Sequence, residues 1–270
     1  MYALDFEYDG QYLSDYGFII CDFNGSSGAN SISAGSKITF NTVSRHRGKR
    51  NSLTSTQYNE RIQAKFAICK DPETNTDMSI TDDEYRNLMR WLNRNEFLKF
   101  QVLDDYDVNK ESCFYNASFN VDKVKIREIL YGLELTMETD SPFGYGEVQR
   151  FTYTINNQLD IVSLMDVSDE IGSIYPDMVI TCNSDGDLTV CNESEDCTMT
   201  IRNCKLGEVI TVYGDPMIIT SSYEDHDICN DFNYEFFRIG NRLDDRINRI
   251  SATLPCKVEI SYSPIIKVSP

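Results

Sequence analysis

The chain is short of positive charge, of histidine and of tryptophan, and each shortage removes a class of function. Its 25 Lys and Arg stand against 43 Asp and Glu, for a net charge of −18. Nucleic-acid binding neutralises phosphates with Lys and Arg, so a deficit of this size argues against it. Acid exceeds base both up to residue 145 (22 against 16) and beyond it (21 against 9), which fits a solvated surface on each half rather than one acidic tail. No apolar run approaches the roughly 18 residues of a membrane span. The opening MYALDFEYDG mixes acids with aromatics and lacks the basic and apolar regions of a signal peptide. The expectation is a protein made and kept in the cytoplasm until something larger carries it out.

With two histidines, His46 and His226, no Ser-His-Asp or Cys-His arrangement stands out. His226 lies in YEDHDICND beside Glu224, Asp225 and Asp227, with Asp231 nearby. One imidazole among acids reads as an exposed acidic loop before it reads as a metal site. Asn183-Ser184-Asp185-Gly186-Asp187 looks like a calcium loop, but Asn192 stands where an EF-hand needs glutamate, so it is assigned to a turn. The nine cysteines are odd in number and contain no C-x-x-C; Cys182, Cys191, Cys197 and Cys204 follow no zinc spacing. Cys182 continues the alternation of Met178 and Ile180, and Cys197 that of Met199 and Ile201, as reduced, buried small hydrophobes would. No catalytic, metal-binding or cofactor-binding residue is assigned, and no cofactor is expected.

What the chain does contain is one well-signalled helix among short strands. In TDDEYRNLMRWLNRNEFLKF, Thr81 and Glu84 form a capping box, and Tyr85, Leu88, Met89 and Leu92 recur on one face. Asn95 is the expected stop, Phe97 to Leu103 a strand, and Trp91 sits beside the apolar face. The simplest picture is a single helix laid across a β-sheet. A turn is expected at Tyr8-Asp9-Gly10, within an apolar and aromatic series that ends in a buried strand over Phe18–Cys21, and further strands over Ile38–Val43 and Ile62–Ile68. Residues 113–138 read as a hairpin with Asp122-Lys123 at its turn or bulge. The Pro/Gly cluster Ser141 to Gly146 ends a first domain, 1–146. Residues 147–166 read as a connector that donates a strand. Short strands from Met178 to Tyr262, separated by tight-turn residues, predict a β-sandwich over 167–270.

Two irregular stretches stand out in the first domain, the Gly/Ser loop 24–36 and the basic cluster SRHRGKRN at 44–51. Arg45, Arg47, Lys49 and Arg50 fit a solvated loop, a phosphate contact, or a contact with an acidic neighbouring subunit. No Gly-rich P-loop frames them.

The order of these pieces resembles the distal tail protein (Dit) family of long-tailed bacteriophages. The likeness lies in YDGQYLSDYGFII, EYRNLMRWL followed by FLKF, TMETDSPFGYG, YPDMVITCNSDGDLTV, LGEVITVYG and FFRIGNRLDDRINRISATLPCKVEISYSP, and so spans nearly the whole chain. One departure is Arg246-Ile247-Asn248 where members often have Gly-x-Asn, which puts that turn's geometry in question.

The resemblance implies a mainly β protein with one principal α-helix. Its N-terminal β-sheet or barrel-like domain, with the packed helix, would form a ring, and its C-terminal domain would be a galectin-like β-sandwich. It implies a siphophage virion protein at the tail tip, a homo-hexameric baseplate hub that lets DNA pass without binding it specifically. Its partners would be the tube protein and a tail-associated lysin or tail fibre, with a receptor-binding protein a further candidate; assembly would occur in the host cytoplasm, with no membrane involved. Arg45, Arg47, Lys49, Arg50 and Trp91 are then candidate subunit contacts. The alternative from a different class is a carbohydrate-binding adhesion module for host wall saccharide, using Tyr213, Tyr223, Tyr234 or Tyr262.

Overall fold

The computed structural model describes residues 5–23, 38–44, 51–58, 61–103 and 113–267. It divides into two compact units: the chain up to Gly146 together with the segment beginning at Ile266, and Glu147–Ile265. The first unit holds strands β1 (Asp5–Tyr8), β2 (Gln11–Tyr12), β3 (Phe18–Cys21), β4 (Ile38–Ser44), β5 (Asn51–Tyr58) and β6 (Gln63–Lys70). Helix α1 (Asp82–Leu92) follows, then β7 (Leu98–Leu103), β8 (Cys113–Ile126), β9 (Ile129–Thr139) and β10 (Gly144–Gly146). The main sheet runs β2-β1-β7-β8-β9-β6-β3, with antiparallel neighbours throughout.

That sheet is strongly curled. Phe6 on β1 and Phe66 on β6 are four strands apart in the sheet order, yet their ring centroids lie 5.7 Å apart. In a flat sheet, four spacings of about 4.8 Å would separate them by roughly 19 Å. Phe100 and Phe119 complete the aromatic knot, each within ring contact of Phe6. The alternating apolar residues of these strands therefore face inward around one core.

Helix α1 closes that core. Thr81 caps it as its sequence predicts: Thr81 Oγ1 accepts from Glu84 N at 3.3 Å, while Thr81 N donates to Glu84 Oε2 at 2.8 Å. The helix stops at Leu92, with Asn93 as its C-cap, two residues before the expected stop. Its most buried residues are Leu88, Trp91 and Leu92, whereas Tyr85 and Met89 are half-buried. The buried stripe is thus rotated toward Trp91, which is only 3% exposed. The indole stacks on Tyr16 at 4.6 Å and on Phe6 at 5.6 Å, and Nε1–H donates to Tyr8 O at 2.9 Å. An indole N–H inside a core needs an acceptor, and the β1 carbonyl supplies it. Trp91→Phe keeps an aromatic ring but strands that carbonyl; we expect a loss of about 1–3 kcal/mol, read as a lower urea midpoint.

Two tight hairpin turns illustrate the uneven strength of turn signals. Asp9 and Gly10, both at positive φ (52° and 72°), join β1 to β2, the pairing of residues that a type I′ turn favours. The β8–β9 turn lies at Arg127-Glu128, at φ 49° and 67°, five residues past the expected Asp122-Lys123. Asp122 and Lys123 are in register with Glu134 and Leu133, and the ladder's irregularity falls at Val124/Lys125. Neither Arg nor Glu favours the left-handed region, so the turn left no mark in the sequence. Installing Arg127→Asn with Glu128→Gly should stabilise the first unit by about 1 kcal/mol, measurable by chemical denaturation.

The second unit is a sandwich. Its strands are β11 (Gln149–Ile155), β12 (Val162–Met165), β13 (Gly172–Ile174), β14 (Asp177–Cys182), β15 (Gly186–Asn192) and β16 (Cys197–Cys204). They continue with β17 (Val209–Tyr213), β18 (Ile218–Ser221), the short helix α2 (Ile228–Asp231), β19 (Ile239–Asn241), β20 (Ile247–Ala252) and β21 (Cys256–Tyr262). One sheet is ordered β11-β21-β14-β17-β18 and the other β12-β20-β15-β16, while β13 pairs with β19. Met178, Ile180, Ile210, Val258 and Ile260 from the first sheet and Leu188, Val190, Met199, Ile201 and Ile250 from the second form a common core. The segment 147–166, expected as a connector, supplies one strand to each sheet, because its alternating residues include the buried Ile155 and Leu164. Arg246 is not in the left-handed region, and the following residue begins β20, so no glycine is needed there. Buried Asn248 instead ties the turn together: its Oδ1 accepts from Asn192 Nδ2 and Gly240 N, and its Nδ2 donates to Gly240 O.

Candidate interaction surface

Among the described residues, β4 and β5 pair only with each other. Their sequences, ITFNTVS and NSLTSTQY, are rich in β-branched residues that favour an extended backbone. Large apolar side chains are nevertheless left in solvent: Phe40 is 62% exposed and Leu53 57%, with Ile38 and Val43 also exposed. The register explains how they are grouped. Ile38 opposes Tyr58 and Phe40 opposes Thr56; the ladder then shifts, so that Thr42 opposes Leu53. Thr54 is the inserted residue, and its hydroxyl donates to Asn41 O at 2.8 Å. Opposed residues in an antiparallel pair share a face, so the bulge gathers Ile38, Phe40, Leu53 and Tyr58 on one side.

The base of this ribbon is anchored within the first unit. Tyr58 packs edge-on against Phe143 at 4.8 Å, and Lys267 Nζ donates to the Tyr58 hydroxyl at 3.0 Å. A free two-stranded ribbon is marginal in water, and four exposed large apolar groups are the mark of a contact surface. Of the residues singled out from sequence, Arg45, Arg47, Lys49, Arg50 and the loop 24–36 lie outside the described residues. Trp91 belongs to the core of its own unit. The ribbon itself was missed as a surface, although Phe40 and Leu53 among Thr, Ser and Asn carried a faint signal.

In the second unit the loop at His226 is exposed and acidic at Glu224, Asp225 and Asp227, as expected, but the imidazole itself is turned inward. The imidazole is 4% exposed, with Nδ1 2.5 Å from Glu208 Oε1 and Nε2 3.4 Å from Asp231 Oδ2. Glu208 is fully buried and also accepts from Ser221 Oγ at 2.5 Å and Lys205 N at 2.7 Å. Burial pulls the imidazole pKa down, but the Glu208 bond and charge prevail and hold it above the usual histidine value. Burial likewise opposes the Glu208 charge, yet the bonds from Ser221, His226 and the Lys205 amide keep its pKa below the usual glutamate value. Ser221 bonds the carboxylate, not the imidazole, so this set does not activate a nucleophile. It fastens the segment before α2 onto β17 and β18.

The remaining candidates are accounted for structurally. Asp185 and Asp187 accept from the amides of Leu206 and Asn203. Among the described residues, no group of three His, Cys, Asp or Glu is placed to hold a metal. Tyr262 is buried, and the hydroxyls of Tyr223 and Tyr234 donate to the backbone carbonyls of Leu206 and Cys229. Tyr213 is exposed.

Comparison with known proteins bears on both units. A family model described as a phage tail protein N-terminal domain matches residues 1–141, and one described as a phage tail C-terminal domain matches residues 143–262. Among curated proteins nothing matches. Among solved structures, the chain is similar to the Dit (gp 19.1) protein of SPP1, at 12% identity and a TM-score of 0.65, over 96% of this chain and 98% of that one. That protein is described as a paradigm of the hub adsorption apparatus in phages infecting Gram-positive hosts. At this identity the likeness is one of fold.

Proposed function

Because the chain belongs to this phage tail protein family and is a structural component of the tail, we propose that it is the distal hub of a long tail, a homo-hexameric ring joining the tube to the tail-tip proteins. The observation that carries this reading is the fold match to a hub protein over nearly the full length of both chains. The exposed β4–β5 ribbon supports it from within the first unit, since a ring subunit must bury surface on two flanks. The basic segment 45–50 joins the two ribbon strands in a chain of net charge −18, which suits a contact with an acidic neighbouring copy.

On this reading the tube protein sits above the ring and a lysin or fibre protein below. Acidic walls repel DNA phosphate, so DNA would pass without being retained by counterion release. The second domain would be galectin-like. Mass photometry of the full chain, alone and with the tube protein, tests the ring. A particle six times the 31.0 kDa subunit mass is expected, and a strict monomer in both conditions removes the ring from consideration.

A further inference from the structure

Three thiols meet in the core of the second unit. Cys182 ends β14 and Cys256 begins β21; they are directly opposed in antiparallel register, and both are 0% exposed. The backbone shows which kind of pair they form. Cys182 N–H donates to Glu208 O and Cys182 O accepts from Gly207 N, so both polar groups of Cys182 point toward the β17 side and away from β21. In an antiparallel ladder a residue turned away from its opposite number belongs to a non-hydrogen-bonded pair, with Cα atoms about 4.5 Å apart. That separation lies within the roughly 4.4–6.8 Å that a disulfide spans. The third thiol, Cys204 on the facing sheet, donates to Ile201 O at 3.5 Å and also lies within hydrogen-bond reach of Cys182, but it comes from the opposite sheet and not from the paired ladder.

We propose that Cys182 and Cys256 are a latent cross-strand disulfide, closed by exchange with a low-molecular-weight disulfide once the protein leaves reducing surroundings. One cysteine thiolate attacks a sulfur of the small disulfide, giving a mixed disulfide and releasing one small thiol. The second cysteine thiolate then attacks the protein-side sulfur and releases the other small thiol. The protein gives up two electrons and two protons, and both small thiols leave reduced.

Access comes from position. Cys182↔Cys256 is the last pair of the β14–β21 ladder, and Ile155↔Cys256 the last of β11–β21, so fraying of one sheet end reaches both sulfurs without global unfolding. Burial pushes the Cys256 thiol up to about 11, which keeps its thiolate scarce and the closure slow. The link ties β14 to β21 across a long intervening chain, so it restrains the unfolded state more than the folded one. This inference stands independently of the ring.

The test incubates the full chain with oxidised glutathione, alkylates the remaining thiols and maps peptides by mass spectrometry. The expected result is a Cys182–Cys256 cross-linked peptide two hydrogens lighter than its parts, Cys204 recovered alkylated, and a melting transition raised by roughly 10 °C that reductant reverses. Exposed Cys229 reports that the reagent reached the protein. Recovery of Cys182 and Cys256 as free thiols while Cys229 carries glutathione overturns the proposal, as does a Cys182–Cys204 linkage.

Discussion

If the proposed ring forms, Phe40→Asp combined with Leu53→Asp is expected to abolish the six-subunit particle while leaving the subunit folded. Both side chains stand mostly in solvent within one subunit, and exposed substitutions usually move stability by about 0.5 kcal/mol or less. At a subunit boundary the same positions behave differently. An anchoring aromatic residue there is worth about 2 kcal/mol or more, and a carboxylate placed in its stead must be desolvated without a partner. Each boundary in a closed ring repeats, so the penalty recurs at every contact. The expected readout is monomer by mass photometry, with the circular dichroism and melting temperature of the unaltered chain. Rings of unchanged stoichiometry from the double variant would place the ribbon outside the subunit boundary.

Glu208→Ala costs the second unit about 3–5 kcal/mol, the usual consequence of removing one partner from a buried ion pair. His226 is then left charged or unbonded beneath the surface, and Ser221 Oγ and the Lys205 amide lose their acceptor. The pH profile distinguishes this set from ordinary packing. His226 has a folded pKa raised above 6.5, so its contribution is complete below about 6.5 and is lost as pH rises through the raised value. Glu208 has a folded pKa below 4.5, so its contribution is present above about 4.5 and disappears as pH falls through the depressed value. Cys204 and Asp231 also face the imidazole and raise its pKa. Thermal melts should therefore be highest between about pH 4.5 and 6.5. Glu208→Gln, which keeps the shape and removes the charge, should flatten both limbs; an unchanged profile would mean that the pair has no part in it.

The two predictions draw on residues that differ in how visible they were in the sequence. Phe40 and Leu53 stand out as large apolar groups among Thr, Ser and Asn, but a strand pattern cannot say whether its partner is the same subunit or another. Glu208 was invisible as a buried acid, because Lys205, Ser221 and His226 come from three separate stretches that only the folded sandwich brings together. The surrounding acids Glu224, Asp225 and Asp227 made His226 look solvated.

By itself the sequence determined what depends on neighbours within a few residues. The Thr81–Glu84 cap, the Asp9-Gly10 turn and the alternating core of β14 to β17 are local patterns, and each is present in the fold. Tertiary structure decided what depends on distant segments: the curl that brings Phe6 to Phe66, the turn at Arg127-Glu128, and the core place of Trp91. It also decided the register that sets Cys182 opposite Cys256, and the ribbon left without a partner strand among the described residues. The reason is physical. Backbone dihedrals and caps are settled by short-range sterics and hydrogen bonds, whereas sheet curvature, burial of charge and strand register are settled by which distant surfaces exclude water together.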